Sequence, residues 1–557
     1  MIKKLLGLLL ALALLLGCAA AEEAATPTLT KDLVILYTSD VHCGVGKNWG
    51  YASLYAMKEQ FAQDNYVLLV DNGDAIQGEP VGTMTKGNAI INIMNAIGYD
   101  VVIPGNHDFD YGVDTFLELT KKANFPYISC NFNKDDELIF DPYIIKEFDG
   151  VKVAFVGVTT PDTLRTSTPT HFMNEEGEFI YGFCQDETGE KLYEAVQKAV
   201  DGARAEGANY VILLAHLGKA AESSPWMYNQ VIENTTGIDV MLDGHSHDTD
   251  QVVVKNKDGA DVPRSAVGTK LNEIGVLTIG TDGKVATKTL TCIADPGAPE
   301  LLKLENPASE AVNAAMGELD EQLKQVVAKS SVDLTIYDPT AKTEDGKPVR
   351  IIRQMETNLG DLVADAYRDQ SGGADIAFAN AGSIRDSLPA GDLTKNDILT
   401  VQPFGSSLTV IEVTGQQVLD ALEWSVHSLP GEFGGFEQVS GITFEFDSEI
   451  PSPVVMDADA MFDHVDNTME RRIRNVLVGG EPLDPQKTYT LASLDYQLLN
   501  DGDGYTMYKG CKVLQESVKL DNQMLIDYIS QTLGGVVGEE YANPYGQGRI
   551  VSVHAEK

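Results

Sequence analysis

Five short motifs in the first half of the chain combine residue types that bind metal ions. They are Asp40-Val41-His42, Gly73-Asp74, Gly105-Asn106-His107-Asp108, His216 and Gly244-His245-Ser246-His247, and they hold five of the nine histidines. Carboxylates, amide oxygens and neutral imidazoles together favour Mn, Zn, Fe or Co over soft Cu(I), and Ca or Mg alone would not require so many histidines. One buried histidine after a strand is usually a hydrogen-bonded core residue. Five such motifs in consecutive loops instead favour a metal site, with enough ligands for two cations.

Each motif follows an apolar run that predicts a buried strand. Six such runs occur, namely Leu33–Tyr37, Tyr66–Val70, Val101–Ile103, Val151–Val158, Tyr210–Leu214 and Asp239–Leu242. Runs that are apolar at nearly every position predict strands buried on both faces, and the stretches between several of them are long enough for covering helices. Because ligand sites in such sheets gather where strands end, we expect the five motifs to lie together.

The second half carries arginines and glycine-rich turns in place of a metal-ligand cluster. Its motifs are Arg350, Arg353, Glu356–Leu362, Asn380–Arg385, Gln402–Gly405, Gly434–Gly441 and Asn500–Tyr505. Guanidinium groups bind phosphate or carboxylate bidentately, and glycine lets the backbone approach a ligand, although a single arginine is most often part of a surface ion pair. Between the halves, Asp295–Pro299 indicates a boundary and Asn306–Val332 has the apolar spacing of a helix. Two domains joined by a helix are therefore favoured over one continuous domain.

Charge and composition exclude one class of protein. The chain has 557 residues and a formal net charge of −42, so its surface would repel nucleic acid. With 43% apolar and 22% charged residues, the chain has the composition of proteins with well-formed cores, and its length predicts two to four domains.

The first residues predict export. Lys3 and Lys4 precede an almost wholly aliphatic run, Leu5–Leu16, which ends in Gly17-Cys18. The run is too short to cross a bilayer core of about 30 Å, so cleavage is favoured over a permanent span. The ending resembles a bacterial lipoprotein signal, which implies a lipid on Cys18 and a membrane-anchored protein on the extracytoplasmic side; ordinary cleavage after Ala19–Ala21 is the alternative. The other five cysteines are widely spaced and predict at most one disulfide.

In their order along the chain, the first-half motifs resemble the calcineurin-like metallophosphoesterase signature. The resemblance implies two divalent metal ions, one held by Asp40, His42, Asp74 and His247 and the other by Asp74, Asn106, His216 and His245. It also implies a catalytic pair in which Asp110 orients His107. Two cations about 3.5–4 Å apart can lower the pKa of a bridging water and hold the phosphoryl oxygens. His107 would then stabilise developing charge or protonate the leaving oxygen.

The second-half motifs resemble the C-terminal domain of the 5′-nucleotidase family. This likeness implies a substrate pocket formed by Arg350, Arg353, Asn380, Arg385, Phe436 and Asp503. Arg353 and Arg385 would contact phosphate, with Arg350 assisting. Asn380 would line the nucleoside pocket, Phe436 would stack on the base and Asp503 would accept from ribose hydroxyls. Family members commonly carry a second aromatic residue six positions before the matching Asp, where this chain has Gln497. Either the adjacent Tyr496 takes that place or the pocket is looser.

Together the two resemblances imply an α/β protein with a four-layer metallophosphoesterase β-sandwich flanked by helices, a linker helix and a C-terminal α+β substrate-binding domain. The expected boundaries are 1–18 for the signal peptide, 19–31 for a flexible linker, 32–300 for the first domain, 301–332 for the linker helix and 333–553 for the second domain.

The expected function is an exported 5′-nucleotidase that releases nucleoside and phosphate by attack of a metal-bridged hydroxide. The expected partner is a small nucleotide and not a nucleic-acid polymer. The protein would contact the membrane only through its lipid. A 2′,3′-cyclic-nucleotide phosphodiesterase with 3′-nucleotidase activity and a UDP-sugar hydrolase stay open, because they share the metal motifs. A non-catalytic nucleoside-binding lipoprotein would lack metal ligands, and none is missing.

Overall fold

The computed structural model describes residues 27–174, 176–220, 223–292, 297–317, 319–343, 346–516 and 519–554. The predicted signal peptide and Cys18 lie outside the described residues. Within the described ranges, no helix is long and apolar enough to cross a membrane. Cys43, Cys130, Cys184 and Cys511 are free thiols.

Two packed sheets form the centre of the first half. Its strands are β1 Leu33–Thr38, β2 Tyr66–Asp71, β3 Val101–Val102, β4 Asn133–Lys134, β5 Glu137–Leu138, β6 Tyr143–Phe148, β7 Val151–Thr159, β8 Tyr181–Gly182, β9 Tyr210–His216, β10 Val240–Asp243, β11 Gln251–Lys255, β12 Asp261–Ala266, β13 Glu273–Ile279 and β14 Val285–Thr291. One sheet has the order β14-β13-β1-β2-β3 and the other β11-β12-β10-β9-β7-β6. Neighbours β1, β2 and β3 run parallel, as do β7, β9, β10 and β12.

Alternating residues of β1 bury both faces of its sheet, as the apolar run predicts. Leu33 and Ile35 pack with Phe155 of the other sheet, whereas Val34 and Leu36 pack outward under helices. The helices of this half are α1 Gly50–Phe61, α2 Pro80–Thr85, α3 Asn88–Ile97, α4 Val113–Thr120, α5 Thr163–Thr166, α6 Glu190–Ala205 and α7 Tyr228–Asn234. Helices α1, α3 and α4 cover one sheet, and α6 and α7 cover the other. The predicted four-layer sandwich is therefore confirmed.

The connecting helical region is shorter than predicted. It consists of α8 Ala298–Leu301, α9 Pro307–Gly317 and α10 Asp320–Leu323, and Ala308 of α9 belongs to the first-half core. Residues Val326–Ser330 form strand β15, which pairs with Gly391–Thr394 and Val536–Val537. The helical prediction is wrong for these residues, because pairing with two distant strands outweighs the local apolar spacing.

The second half is built around a five-stranded sheet of order β21-β18-β27-β20-β28. After β15 its strands are β16 Tyr337–Lys342, β17 Pro348–Arg350, β18 Ile376–Asn380, β19 Gly391–Thr394, β20 Leu408–Thr414, β21 Glu437–Ser440, β22 Ile442–Phe446, β23 Val454–Met456, β24 Phe462–Val465, β25 Ile473–Val478, β26 Glu481–Pro482, β27 Thr488–Leu494, β28 Lys512–Gln515, β29 Val536–Val537 and β30 Ile550–Ser552. The helices are α11 Asn358–Gln370, α12 Lys395–Val401, α13 Gly415–Ser425, α14 Asp495–Leu498 and α15 Asp521–Asp527. Helix α11 begins at Thr357, whose side chain accepts a hydrogen bond from the Gly360 N–H, and it packs Leu362 onto the sheet core.

Candidate active site

The metal-ligand motifs lie at strand ends and are joined by backbone hydrogen bonds. The Asp40 N–H donates to the Gly73 carbonyl at 2.9 Å, and the His42 N–H donates to the Asp74 carbonyl at 2.9 Å. Asp40, His42, Asp74, His245 and His247 all have positive φ, between 45° and 80°. A positive φ costs about 1–3 kcal/mol at each of these non-glycine residues. The conformation persists only where surrounding contacts fix it, which is common at functional sites. These turns bring the five side chains together.

One group of ligand atoms comes from Asp40, His42 and His247. His247 Nε2 lies 3.5 Å from Asp40 Oδ1, and the Nε2 atoms of His42 and His247 are 3.0 Å apart. Asp40 is fully buried, and burial raises the pKa of its carboxyl to about 7. Burial also lowers the pKa of both His42 and His247 well below the usual value, so their rings are neutral, as metal binding requires.

A second group of ligand atoms comes from Asp40, Asp74 and His216. Asp74 Oδ2 lies 3.2 Å from His216 Nε2 and 3.7 Å from His42 Nε2, so this carboxylate lies between the two groups. Asn106 Oδ1 lies 3.1 Å from His216 Nε2 and 2.9 Å from His245 Nδ1. Burial raises the pKa of Asp74, but His216 outweighs it and holds that pKa well below the usual value. All seven predicted metal ligands therefore converge.

The outer hydrogen bonds of two histidines fit metal binding. His42 Nδ1 lies 3.0 Å from the Gln77 carbonyl, and His216 Nδ1 lies 2.7 Å from the Asn72 carbonyl. Without a metal, burial lowers the pKa of His216, but Asp74 and Asp40 outweigh it and raise that pKa to about 10. In the neutral rings that metal binding requires, each Nδ1 carries the proton, because a carbonyl only accepts, and each Nε2 lone pair faces the carboxylates. The donor set, two carboxylates, one amide oxygen and four imidazoles, therefore fits two borderline divalent cations.

His107 is held beside this cluster. Its backbone N–H donates to Asp74 Oδ1 at 2.8 Å, and its Nδ1 lies 2.8 Å from Asp110 Oδ2. Ser167 donates to the other carboxylate oxygen of Asp110, also at 2.8 Å. Burial lowers the pKa of His107, but Asp110 and Asp74 outweigh it and raise that pKa above the usual value. The ring is thus oriented through Nδ1, which leaves Nε2 for another partner.

A cavity of ≈ 390 Å³ lies between the two halves beside His107. The first half contributes Asn106, His245 and His247 to its wall, and the second half contributes the predicted substrate residues Arg350, Arg353, Asn380, Arg385 and Asp503. Arg385 lies with its guanidinium 5.8 Å from the ring of Phe404, and Arg350 donates to Glu432 at 3.1 Å through Nε. Five of the six predicted substrate residues therefore line one space with the metal cluster.

Phe436, the sixth, does not line that cavity. It is fully buried in the second-half core, and its prediction as the stacking residue is wrong. Phe433, which is also buried and belongs to the same core, lines the cavity in its place. The Phe436 N–H donates to the Phe433 carbonyl at 3.1 Å, and the intervening Gly434 carbonyl accepts from the Gly382 N–H at 2.7 Å. This tight turn directs the Phe433 ring to the cavity wall and the Phe436 ring away from it.

Tyr496 supplies the second aromatic ring that the family motif places at the position of Gln497. Gln497 is buried and donates to Glu437 at 2.7 Å, whereas Tyr496 lines the cavity. The Tyr496 hydroxyl accepts from the Asp503 N–H at 3.1 Å and donates to the Arg165 carbonyl at 3.3 Å, which fixes its ring across the two halves. Of the two alternatives left open by the sequence, the structure favours substitution by Tyr496.

Several residues of the cavity wall were not predicted from the sequence. Arg165 pairs with Asp162 at 2.5 Å and lies with its guanidinium 5.6 Å from the Phe433 ring centroid. Phe404 and Glu432 also line the cavity. The Gln402–Gly405 motif could have pointed to Phe404, but Asp162 and Arg165 lie in no motif recognised from the sequence.

Comparisons with known proteins agree with this geometry. The chain matches the calcineurin-like phosphoesterase family over residues 33–249 and the 5′-nucleotidase C-terminal domain family over residues 333–510. It is similar to a 5′-nucleotidase of Vibrio vulnificus, at 26% identity over 93% of this chain and 94% of that protein. It is also similar to the protein UshA of Escherichia coli, at 26% identity over 95% and 97% of the two chains.

Two further likenesses differ in extent. The trifunctional nucleotide phosphoesterase YfkN of Bacillus subtilis is 28% identical over 74% of this chain, which spans only 29% of that longer protein. A crystal structure of a 5′-nucleotidase precursor from Thermus thermophilus superposes with a TM-score of 0.75 at 26% identity, covering 94% of this chain and 100% of that one. With both domain families matched in order and an Asp/His cluster at the strand ends, the chain belongs to the 5′-nucleotidase family and is a phosphohydrolase that uses two divalent metal ions.

Proposed function

We propose that the protein hydrolyses nucleoside 5′-monophosphates to a nucleoside and inorganic phosphate. The observation that supports this is a cavity of ≈ 390 Å³ that joins the metal-ligand cluster, the arginines and two aromatic rings, Phe433 and Tyr496. A phosphate ester needs the first two features, and a nucleobase needs the third.

In this proposal the metal ions are held as the motifs predict. Asp40, His42, Asp74 and His247 hold one, and Asp74, Asn106, His216 and His245 hold the other. When bound, the two cations would supply Lewis-acid activation of water and of the phosphoryl group. Asp74 is the shared ligand, because its carboxylate lies within 3.7 Å of His42 and 3.2 Å of His216.

His107 acts as the proton donor to the leaving 5′ oxygen. Its Nδ1 is engaged by Asp110, and its raised pKa keeps a proton available near neutral pH. Arg353 and Arg385 bind the phosphate, with Arg350 assisting from its pair with Glu432.

The nucleoside contacts rest on buried polar atoms. Asn380 donates to Asp503 at 2.8 Å, whereas its buried Oδ1 has no hydrogen-bond partner among the described residues. An unpaired buried acceptor costs about 1–3 kcal/mol, so a donor from the nucleoside would relieve it. Asp503 accepts from the ribose hydroxyls, and the base lies against Phe433 and Tyr496.

The test is phosphate release from AMP, a 2′,3′-cyclic nucleotide and UDP-glucose, each with Mn, Zn, Co or Mg after removal of bound metal by a chelator. We expect AMP to give the highest kcat/KM. Higher kcat/KM with the cyclic nucleotide or the nucleotide sugar would replace the proposal with one of the two activities left open by the motifs.

We also propose that the protein is exported and anchored through a lipid on Cys18, on the evidence of the Leu15-Leu16-Gly17-Cys18 ending. Cys18→Ala should abolish membrane attachment, and Ala24→Ser serves as the control with the signal intact. A mature wild-type protein with a free N-terminus near Glu22 and no lipid would indicate ordinary cleavage.

A further inference from the structure

A second cavity, of ≈ 240 Å³, opens on the other side of the arginines. It shares His247, Arg350, Arg353 and Arg385 with the first cavity, and it reaches His42 of the metal-ligand cluster. The other wall residues include Lys47 and Lys270, which contribute nothing to the proposed hydrolysis. The two cavities therefore share a wall formed by three arginines.

The second cavity is positively charged in a strongly acidic protein. Its wall holds Lys47, Lys270 and three arginines against two carboxylates, Glu79 and Asp386, whereas the whole chain carries a net charge of −42. Lys270 Nζ lies 2.7 Å from Glu79 Oε1, and Lys47 Nζ lies 3.9 Å from the same oxygen. One carboxylate thus serves two ammonium groups, which leaves positive charge to attract an anion.

In the proposed function the nucleoside lies in the first cavity. A phosphate formed at the metal-ligand cluster therefore faces the second cavity on its other side, where cationic residues line the wall. We propose that the second cavity binds a phosphate dianion and is the route by which inorganic phosphate leaves while the nucleoside is still bound. This inference rests on the proposed function. The outer phosphoryl group of a nucleoside diphosphate has the same chemistry, and the test separates the two sources.

The test uses the Lys47→Gln/Lys270→Gln double variant of the full chain with bound metals. Single-turnover hydrolysis of AMP is followed by adenosine formation and, separately, by a fluorescent reporter of free phosphate. Adenosine formation should keep its wild-type rate. Phosphate release should slow, and the inhibition constant of inorganic phosphate should rise, each about threefold to tenfold, as expected for the loss of two partly exposed charges. Lys255→Gln removes an exposed lysine that pairs with Asp261 outside the walls of both cavities, and it should leave phosphate release unchanged.

Three outcomes would decide against the inference or the function. Unchanged phosphate release and inhibition in the double variant would overturn the exit route. A higher KM for ADP with normal phosphate release from AMP would also overturn it, in favour of a subsite for the outer phosphoryl group. If the wild-type protein forms no adenosine from AMP, the proposed function fails, which is a separate result from either of these.

Discussion

Asp74 lies between the two groups of metal ligands, 3.2 Å from His216 and 3.7 Å from His42. Asp74→Asn should reduce turnover of AMP by at least about 100-fold, because the shared carboxylate fixes both metal occupancy and metal spacing. Activity and bound metal, by elemental analysis, are the measurements, and Asp64→Asn, at an exposed position, is the control. Near wild-type turnover at saturating Mn would contradict the assignment.

His107 is placed beside the metal ligands but is oriented by Asp110. His107→Asn should lower kcat by about 10²–10⁴-fold, the usual contribution of a general acid, while bound metal stays at the wild-type count. The exposed His464 provides the matched substitution His464→Asn, which should change neither quantity. If His107→Asn loses metal, the residue is a ligand and not a proton donor.

Phe433 and Phe436 provide a pair of substitutions with different kinetic expectations. Phe433→Ala should lower kcat/KM for AMP by a factor equivalent to about 1–3 kcal/mol of stacking, and spare an aryl phosphate, which carries no nucleobase. Phe436→Ala should affect AMP and the aryl phosphate equally and reduce the free energy of unfolding by about 3–5 kcal/mol, because its ring lies in the core and does not line the cavity. Kinetics on both substrates separate the two, whereas thermal unfolding should show a loss of stability in both variants because both rings are buried in the same core. Equal losses on AMP and the aryl phosphate in Phe433→Ala would make that ring a packing residue.

At the scale of elements, strand β12 supports the loop that carries His245 and His247. Arg264 of β12 donates to Asp243 at 2.7 Å and to Asp248 at 3.1 Å, so one buried guanidinium joins both ends of that loop. Removing one partner leaves two buried carboxylates, which costs about 3–5 kcal/mol.

Arg264→Met should therefore weaken metal binding by about 10–100-fold, measured as competition with a chelator in the folded protein. The control is Arg204→Met, which breaks the partly exposed pair with Asp239 at the opposite end of β10 and should cost at most about 1 kcal/mol of stability. A folded Arg264→Met protein with wild-type metal affinity would show that the loop is held by other contacts.

For the whole molecule, the arrangement of the halves decides activity, because the cluster comes from the first half and the arginines from the second. Contacts such as Tyr496 to Arg165 and Thr83 to Pro403 join the halves around the cavity. Arg385→Ala should raise KM for AMP and lower kcat/KM by roughly one to three orders of magnitude, as for a lost bidentate phosphate contact, with metal content unchanged. Arg471→Ala, which breaks a pair with Asp420 away from the cavity, should alter neither. Unchanged KM in Arg385→Ala would remove this residue from phosphate binding.

The sequence by itself determined the buried strands and the convergence of the metal ligands at their ends, whereas the sandwich was implied by the resemblance to the metallophosphoesterase family. Apolar runs such as β1 dictate strands buried on both faces, and a polar residue placed directly after such a run lies at the strand end wherever the sheet goes. For this reason Asp40, Asp74, His216 and His245 could be placed together before any coordinates were known. The local order of residues carries the information, since each motif is adjacent to the strand that positions it.

Only the tertiary structure decided which aromatic rings reach the cavity and where the connecting helices end. Phe433 and Phe436 are equally apolar and three residues apart, and their directions are set by a turn that bonds to Gly382, far away in the sequence. Tyr496 is oriented by Arg165 of the other half, and Val326–Ser330 became a strand because two distant strands pair with it. In each case the deciding contact is long-range, and such contacts override local pattern because they bury side chains and satisfy backbone groups that the local segment alone cannot.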